Sequence, residues 1–433
     1  MKPNKKSQNQ LLLHVIFRAI ILSTAIVPVL NWLTSAASAA PVGAKSADTF
    51  VDSIGVNTHL DYSGSPYARF NDLVKPKLQE LGVRHIRDGV HLHEELLDKL
   101  RELAKLGIKS NLVFSNELDT VLAIAKATSG SIEAVEGPNE TDLEVSGFSY
   151  NGQKFPEATR AYQQDLYTAI KNDSATKYLP VVLPSMGWGE NAKKLGYVNS
   201  GDYCNMHSFP NIGARPTHDI DWYFIPHART ICGSSKPIIV TETGYHNAVA
   251  ADYGISEQAS SKYLPRLLLE NFNRNITRTY LYELIDQGTE VDRQARFGLL
   301  RNDGSVKPAF TAVRNLISLL SERGANFTPG SLDYSLSGAN DELHSTLLQK
   351  SNGDFYLILW QDAESWNDPE EKDIPVAKRE ITVNLNTSIS KAETYEPKNS
   401  TASTSTYNAN SGDRLTKLVV SVPDHPLVIK LIP

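Results

Sequence analysis

Apolar and polar residues alternate in two different ways between residues 50 and 322. Short runs rich in β-branched residues predict eight strands: Ile54–Thr58, Val83–Arg87, Lys109–Phe114, Ile132–Val135, Leu179–Leu183, Tyr203–Met206, Pro237–Thr241 and Thr277–Leu284. Stretches with apolar residues at helical spacing predict helices between them, among others Phe70–Leu81, His93–Leu106, Leu118–Ala127, Pro156–Asn172 and Glu257–Asn273. Gly82 and Gly107 lie where helix C-caps are expected, just ahead of the next strand.

Eight strands alternating with helices over roughly 270 residues match a (β/α)8 TIM barrel in number and in size. We therefore predict an α/β fold with the barrel over residues 48–323. The competing interpretation is a doubly wound open sheet, which has fewer strands and usually a glycine-rich first turn. The turn after the first predicted strand reads Asn57-Thr58-His59. That turn favours the barrel.

The pattern changes after residue 320, where helical spacing gives way to short alternating runs. These predict strands at Glu342–Gln349, Phe355–Trp360, Glu380–Leu385, Lys391–Tyr395, Leu415–Val422 and Leu427–Ile432. Ser400–Gly412 is rich in Ser, Thr and Asn and predicts an exposed loop. Trp360 alternates with apolar neighbours and is predicted to be buried. The whole indicates an all-β sandwich domain over residues 324–433.

The first residues have the pattern of a secretory signal. A basic start is followed by an apolar run, Leu11–Leu33, and by small residues in which Ala37-Ser38-Ala39 fits a cleavage site. We predict that residues 1–39 are a signal peptide and that the mature protein is secreted, extracellular or periplasmic, without stable membrane association. The alternative is an uncleaved membrane anchor, because the apolar run is long for a signal. His14 and Arg18 interrupt that run.

Charge narrows the choice of partner. The formal net charge is −6, and residues 1–39 carry four basic residues (Lys2, Lys5, Lys6 and Arg18) and no acidic ones, so removing them gives −10. An acidic protein without basic runs is a poor partner for nucleic acid or for an anionic membrane. It is better suited to a neutral polymer such as a polysaccharide.

The two cysteines leave open whether the protein has a disulfide. The histidines and the motifs of the sequence favour a protein without metal or cofactor. Cys204 and Cys232 could form one disulfide in an oxidising compartment or remain two buried thiols. Five histidines could suggest a metal site, but they lack paired-ligand spacing: His59, His91, His93, His207 and His246. The sequence has no nucleophile-elbow motif and no phosphate-binding glycine loop. We predict neither a cofactor nor a catalytic metal.

Two predicted strands each deliver a glutamate at the C-terminal end, where barrel active sites lie. Glu140 follows the fourth strand and Glu242 follows the seventh. Cleavage of a glycosidic bond needs one carboxylic acid that is neutral and one carboxylate that is ionised. We assign Glu140 as acid/base and Glu242 as nucleophile. Asn139 should reach the sugar 2-hydroxyl, and Arg87 should lie near Glu242 and lower its pKa.

Other strand ends supply polar or aromatic groups for binding the sugar. The predicted substrate-binding residues are Asn57, His59, Arg87, Asn139, Trp188, His207, Tyr245, Tyr282 and Glu283. Trp366 is a further candidate for stacking on a sugar. Glu136 lies on the fourth strand among apolar neighbours, and we interpret it as an acid that supports the site rather than as a third catalyst.

These features resemble clan A of the glycoside hydrolases, whose retaining barrels carry acid and nucleophile on strands four and seven. The resemblance covers residues 52 to about 320 and rests on these segments: Glu136-Gly137-Pro138-Asn139-Glu140, Asn205-Met206-His207-Ser208-Phe209-Pro210, Val240-Thr241-Glu242-Thr243-Gly244-Tyr245-His246, Phe297-Gly298-Leu299-Leu300, Asp303-Gly304 and Lys307-Pro308-Ala309-Phe310. Within the clan the chain is most similar to family 39 and related extracellular polysaccharide hydrolases.

The chain departs from the clan's pattern at two positions. Many members have a tyrosine two residues after the strand-six histidine, and its hydroxyl contacts the nucleophile; Phe209 stands there instead. Tyr245 and Tyr282 are the candidates to replace it. The tryptophan platform that often ends strand eight is also missing, because this strand reads Tyr280-Leu281-Tyr282-Glu283.

The sequence thus predicts a retaining glycoside hydrolase that cleaves β-linked poly- or oligosaccharide by double displacement. The carboxyl groups should lie about 5–5.5 Å apart. Two alternatives stay open: a carbohydrate-binding barrel without activity, and a transglycosylase that remodels a cell-surface glycan. The sugar, the linkage, endo or exo action, the role of the sandwich and the oligomeric state are not determined by the sequence.

Overall fold

The computed structural model describes residues 41–89, 93–114, 117–409 and 413–433. The predicted signal peptide, residues 1–39, lies outside the described residues. Within those described ranges, every helix is too short or too polar to cross a membrane.

Eight parallel strands form the predicted barrel. They are β1 (Ile54–Asn57), β2 (His85–Gly89), β3 (Lys109–Val113), β4 (Ile132–Glu136), β5 (Val181–Val182), β6 (Cys204–His207), β7 (Ile238–Thr243) and β8 (Arg278–Leu281). Their order in the sheet is β5-β4-β3-β2-β1-β8-β7-β6. A parallel bridge between Val182 and Tyr203 joins β5 to β6 and completes the ring. The TIM-barrel prediction is confirmed.

Helices pack around the strands. They are α1 (Ala47–Asp52), α2 (Lys75–Leu81), α3 (Glu94–Lys105), α4 (Leu118–Ala127), α5 (Glu157–Asn172), α6 (Ala192–Leu195), α7 (Ile225–Cys232), α8 (Glu257–Asn273) and α9 (Pro308–Leu320). The predicted helix Phe70–Leu81 begins with a π-helical turn, Phe70–Val74, and continues as α2. Gly82 caps α2 in the left-handed conformation (φ 82°), and Gly107 after α3 is also left-handed, because glycine tolerates positive φ.

Inside the barrel, one glycine makes room for an aromatic ring. A Cβ atom on Gly55 of β1 would lie 2.4 Å from the ring of Tyr280 on β8. Tyr280 is buried together with Ala134, Val182 and Ile239, which fill the interior of the barrel below its mouth.

The C-terminal part is the predicted sandwich of two mainly antiparallel sheets. Its strands are β9 (Tyr334–Ser337), β10 (Leu343–Gln349), β11 (Phe355–Gln361), β12 (Arg379–Ile389), β13 (Lys391–Tyr395), β14 (Ser403–Asn408), β15 (Leu415–Val422) and β16 (Leu427–Ile432). One sheet has the order β9-β12-β15 and the other β14-β13-β16-β11-β10. A separate apolar cluster fills the space between them. Lys45 and Ser46, which precede the barrel, pair with β10.

The prediction of an exposed loop over Ser400–Gly412 was wrong for β14. Ser403–Asn408 is an edge strand that pairs with β13, and most of its side chains are exposed. Exposure explains why Ser and Thr are tolerated there, since only Tyr407 of this strand packs against the core of the sandwich. The long-range pairing with β13 decides its structure, and local composition does not reveal it.

The sandwich packs against α8 of the barrel. Trp360 of β11 is fully buried, as predicted, and its indole donates to Glu270 Oε1 at 3.0 Å. Arg266 of α8 is also fully buried and donates to Asp362 Oδ1 at 2.5 Å. Trp366 is buried, so the expectation that it stacks on a sugar was wrong.

Cys204 and Cys232 form a disulfide. It ties the first residue of β6 to the last residue of α7, 28 positions later in the sequence. Of the two alternatives for these cysteines, the structure has the bridge.

Candidate active site

Both predicted catalytic glutamates lie at the C-terminal mouth of the barrel. Glu242 is the last residue but one of β7 and is largely buried, whereas Glu140 follows β4 and is half-buried. Glu140 adopts a positive φ of 43°, an unfavourable conformation for a residue with a Cβ atom. Its backbone amide donates to Ser185 Oγ at 3.1 Å, and Ser185 Oγ donates to Asn139 Oδ1 at 3.2 Å. The loop after β5 therefore holds the backbone of the Asn139-Glu140 turn.

Arg87, on β2, is the hub of the polar network beneath the mouth. Its Nη1 donates to Glu242 Oε1 at 2.5 Å and to Asn57 Oδ1 at 3.0 Å, and its Nη2 donates to Asn139 Oδ1 at 2.7 Å. The predicted proximity of Arg87 to Glu242 is confirmed. Although burial lowers the pKa of Arg87, the charges of Glu136 and Glu242 outweigh it and raise the pKa above the ordinary value. A permanent positive charge thus faces Glu242.

Glu136 is fully buried and serves as the second partner of Arg87. The guanidinium donates to both carboxylate oxygens, from Nε to Oε2 at 2.9 Å and from Nη2 to Oε1 at 2.8 Å. Asn111, Asn205 and Thr241 also donate to this carboxylate. Burial raises the pKa of Glu136, but Arg87 outweighs it and the pKa is lowered. With zero exposure Glu136 supports the site, as predicted.

His207 of β6 connects the two carboxylates that we predict to be catalytic. Its Nδ1 lies 2.7 Å from Glu140 Oε1 and 3.8 Å from Glu242 Oε2, and its Nε2 lies 3.0 Å from Thr241 Oγ1. One oxygen of each glutamate and a ring nitrogen of His207 all lie within 4.8 Å of one another. The barrel therefore places the two acids on one small volume.

The pKa values of Glu140 and His207 differ from the simplest expectation, which is that a catalytic acid has a raised pKa. Burial raises the pKa of Glu140, but the hydrogen bond and positive charge of His207 outweigh it, with a smaller contribution from Arg87, and the pKa is lowered. Burial lowers the pKa of His207, but the charges of Glu242 and Glu140 raise it above the ordinary value. These opposite shifts favour the proton on His207 beside an ionised Glu140, and the two groups titrate as one coupled pair.

The donor atoms of Glu140, His207 and Glu242 could also hold a metal ion. The guanidinium of Arg87 already lies 2.5 Å from Glu242, and the raised pKa of His207 favours a protonated ring that cannot bind a metal. The positive charge of Arg87 and the raised pKa of His207 both oppose a cation at these three groups.

A second cluster lies at the ends of β1 and β8. His59 Nε2 lies 3.1 Å from Glu283 Oε2, and Tyr67 donates its hydroxyl to the same oxygen at 2.9 Å. Gln287 donates to Glu283 Oε1 at 3.1 Å. Glu283 is fully buried, so its predicted direct contact with substrate was wrong; it orients His59 instead. Burial lowers the pKa of His59, but Glu283 outweighs it and raises the pKa.

The prediction for Tyr245 was wrong. Its ring is buried against Tyr263, and its hydroxyl donates to the carbonyl of Ala214 at 2.8 Å. The chain turns outward after β7, and this carries Tyr245 into the layer between strands and helices. It therefore neither binds the sugar nor replaces the tyrosine that is missing at Phe209.

Phe209 packs edge-on against Tyr282, with ring centroids 6.1 Å apart. Tyr282 is half-buried, and its hydroxyl accepts a hydrogen bond from Gln287 at 3.3 Å. The polar group that the structure places beside Glu242 Oε2 is the imidazole of His207, at 3.8 Å.

Several residues of the mouth were not among the predicted site residues. Tyr62 stacks on His59 with centroids 4.5 Å apart, and Asp88 accepts hydrogen bonds from Thr58 Oγ1 and the amide of Leu60. Burial raises the pKa of Asp88 to about 7. Tyr62 lies in a loop without periodicity, so nothing in the sequence marked it out.

We expect the alkaline limb of the kcat/KM profile to move to lower pH in His207→Asn. Because the pKa of His207 is raised, the Glu140–His207 pair keeps its proton at pH values above about 6.5, the ordinary pKa of a histidine. Without the imidazole the proton must stay on Glu140, a carboxyl group with an ordinary pKa of about 4.3 that burial raises. Profiles from about pH 4 to 9 would measure the shift. His344→Asn removes a similar His–Glu pair between the sandwich and α8 and should leave the limb in place.

No protein-family model matches the chain, and no curated protein matches it by sequence. Its structure is similar to that of a family 39 glycoside hydrolase from the gut symbiont Bacteroides cellulosilyticus WH2, with a TM-score of 0.61 and 15% identity, over 90% of this chain and 83% of that one. It is also similar to a glucosidase from Croceicoccus marinus, with a TM-score of 0.59 and 9% identity, over 91% and 97%. These similarities confirm the predicted likeness to clan A at the level of the fold.

Proposed function

We propose that this protein is a secreted retaining glycoside hydrolase that cleaves β-glycosidic bonds in a poly- or oligosaccharide. The observation that carries the proposal is the approach of two carboxylates: an oxygen of Glu140 and an oxygen of Glu242 lie within 4.8 Å. Retaining enzymes separate the carboxyl groups by about 5–5.5 Å, whereas inverting enzymes need about 6.5–9.5 Å to admit a water. The glycoside hydrolases of similar fold support the same chemistry.

In the first step Glu242 attacks the anomeric carbon while the glycosidic C–O bond breaks. Arg87 holds Oε1 of Glu242 at 2.5 Å, which leaves Oε2 as the attacking atom. The leaving oxygen takes the proton that Glu140 shares with His207, so that the departing sugar is neutral. Asn139 accepts hydrogen bonds through Oδ1 from Arg87 and Ser185, which leaves its amide nitrogen to donate to the sugar 2-hydroxyl.

In the second step water enters on the side of the departed sugar. Glu140 takes a proton from this water, whose oxygen attacks the anomeric carbon and displaces the carboxylate of Glu242. During the intermediate Glu242 carries no charge, and Arg87 remains neutralised by its bidentate contact with Glu136. The buried arginine is thus never left without a partner, which would be costly.

The stereochemistry of the product tests this proposal. Purified protein would be screened against a panel of β-glucans, β-mannans, β-xylans and aryl β-glycosides, and the best substrate would then be followed by proton NMR. We expect the β-anomer of the new reducing end to appear first and to mutarotate afterwards. An α-anomer formed first would overturn the retaining mechanism, and binding without cleavage across the panel would overturn the hydrolase.

We further propose that the protein is exported and loses residues 1–39. The disulfide between Cys204 and Cys232 supports an oxidising compartment. Intact-mass measurement of the exported protein should give a chain that begins at Ala40. A chain that begins at Met1 and sediments with membranes would contradict export by cleavage.

A further inference from the structure

The loop after β5 is held by the side chain of a residue that follows the predicted acid. Asp142 Oδ1 accepts from the amide of Gly187 at 2.8 Å, and Oδ2 accepts from the amide of Trp188 at 2.9 Å and from Asn191 Nδ2 at 3.0 Å. Three donors on one carboxylate are sufficient to fix a loop at the protein surface. A Cβ on Gly187 would also lie 2.6 Å from Leu143, so glycine lets the two segments pack closely.

The hydrogen bonds of Asp142 connect an exposed aromatic residue, Trp188, to the segment that carries Glu140. Trp188 is 61% exposed, whereas its backbone is bound to Asp142, only two residues after Glu140. Ser185 in the same loop accepts from the Glu140 amide. Because Glu140 protonates the leaving oxygen, the departing sugar must lie on its side of the cleft. The hydrogen bonds to Asp142 and Glu140 therefore hold the Trp188 segment beside Glu140, on the side of the departing sugar.

A second exposed ring lies on the opposite rim. Tyr62 follows β1 and is 48% exposed, and its ring is parallel to that of His59 within 16°. In a ring of eight strands, β1 and β5 are four positions apart and face each other across the mouth. Glu140 and Glu242 come from β4 and β7, and their carboxylates meet over the mouth between the two rims.

We propose that the mouth binds a β-linked glycan that lies across it from Tyr62 to Trp188. Asp142 is the positioning residue for the leaving-group side. The enzyme cleaves internal bonds of the glycan. This inference rests on the proposed hydrolase function and adds the mode of action. Stacking of two different sugar units on the two rings gives a preference for oligosaccharides over single sugars, because a monosaccharide can contact only one ring.

The test compares two substrates that differ in the group that leaves when the glycosidic bond is cleaved. One is a β-linked hexasaccharide of the sugar identified by the panel, and the other is an aryl β-trisaccharide, whose small phenol replaces the leaving sugar. For Trp188→Ala we expect the loss of kcat/KM on the hexasaccharide to exceed that on the aryl substrate by about tenfold. Tyr178→Ala removes an aromatic ring that is 58% exposed at the other end of β5 and should show no such difference. Equal losses on both substrates would overturn the role of Trp188.

A double variant tests Asp142. If Asp142 acts by placing Trp188, Asp142→Ala should lower the hexasaccharide preference, and adding it to Trp188→Ala should lower it little further. Losses that multiply in the double variant would overturn the positioning role. Mass analysis of wild-type products should show di-, tri- and tetrasaccharides early, and release of monosaccharide alone would overturn internal cleavage. Hydrolysis of the aryl substrate in any of these cases would leave the proposed hydrolase function intact.

Discussion

Glu242→Ala is expected to lower kcat on β-glycans by at least about 10⁴-fold, because it removes the carboxylate that we assign to the covalent intermediate. Added azide should restore turnover on an aryl β-glycoside with a good leaving group. The anion can enter the space left by the carboxylate, where Arg87 at 2.5 Å from Glu242 Oε1 in the wild type still offers positive charge. The product should be the α-glycosyl azide, since a single displacement inverts the anomeric carbon.

The control is Glu94→Ala, which removes an exposed glutamate from the first turn of α3 and should leave kcat unchanged. Circular dichroism of Glu242→Ala should match the wild type, because Arg87 keeps its bidentate partner Glu136. A variant that is folded and retains full activity on every glycan would show that Glu242 is not the nucleophile.

Glu140→Ala is expected to lower kcat by about 10²–10⁴-fold on natural glycans, whose leaving alcohols need a proton. On a dinitrophenyl β-glycoside, whose phenolate leaves unaided, the first step should proceed at close to the wild-type rate. Azide should then attack the intermediate and give the β-glycosyl azide, because Glu242 is still present and two displacements retain configuration.

The opposite stereochemistry of the two azide products separates the roles of the two glutamates. An α-azide from Glu140→Ala, or losses of equal size for good and poor leaving groups, would contradict the assignment of Glu140 as acid/base.

The barrel and the approach of Glu140 to Glu242 could be predicted because both follow from short-range patterns. Strand runs and helical faces have fixed periods, and residues at strand ends of a barrel share one mouth whatever the connecting loops do. Arg87, Glu140 and Glu242 were therefore predicted as neighbours, and the contacts of Arg87 and the approach of the two glutamates agree with this.

The features of the site that could not be predicted from the sequence depend on contacts between distant segments. Tyr245 and Glu283 lie as close to strand ends as Glu140 and Glu242 do. The chain nevertheless turns Tyr245 into the helix layer and buries Glu283 beneath His59. Asp142 and Tyr62 lie in loops, whose conformation is set by hydrogen bonds to other loops. The lowered pKa of Glu140 arises from His207, 67 residues away in the sequence, and not from any local motif.

The most direct measurement is mass spectrometry of the enzyme after reaction with a 2-deoxy-2-fluoro-β-glycosyl fluoride of the preferred sugar. The fluorine at carbon 2 slows both steps and the fluoride leaving group restores the first, so the covalent intermediate accumulates. We predict one added sugar on the peptide that contains Glu242, and no addition to Glu242→Ala. A sugar attached to another residue, or an active enzyme that never carries one, would contradict a mechanism in which the carboxylate on β7 attacks the anomeric carbon.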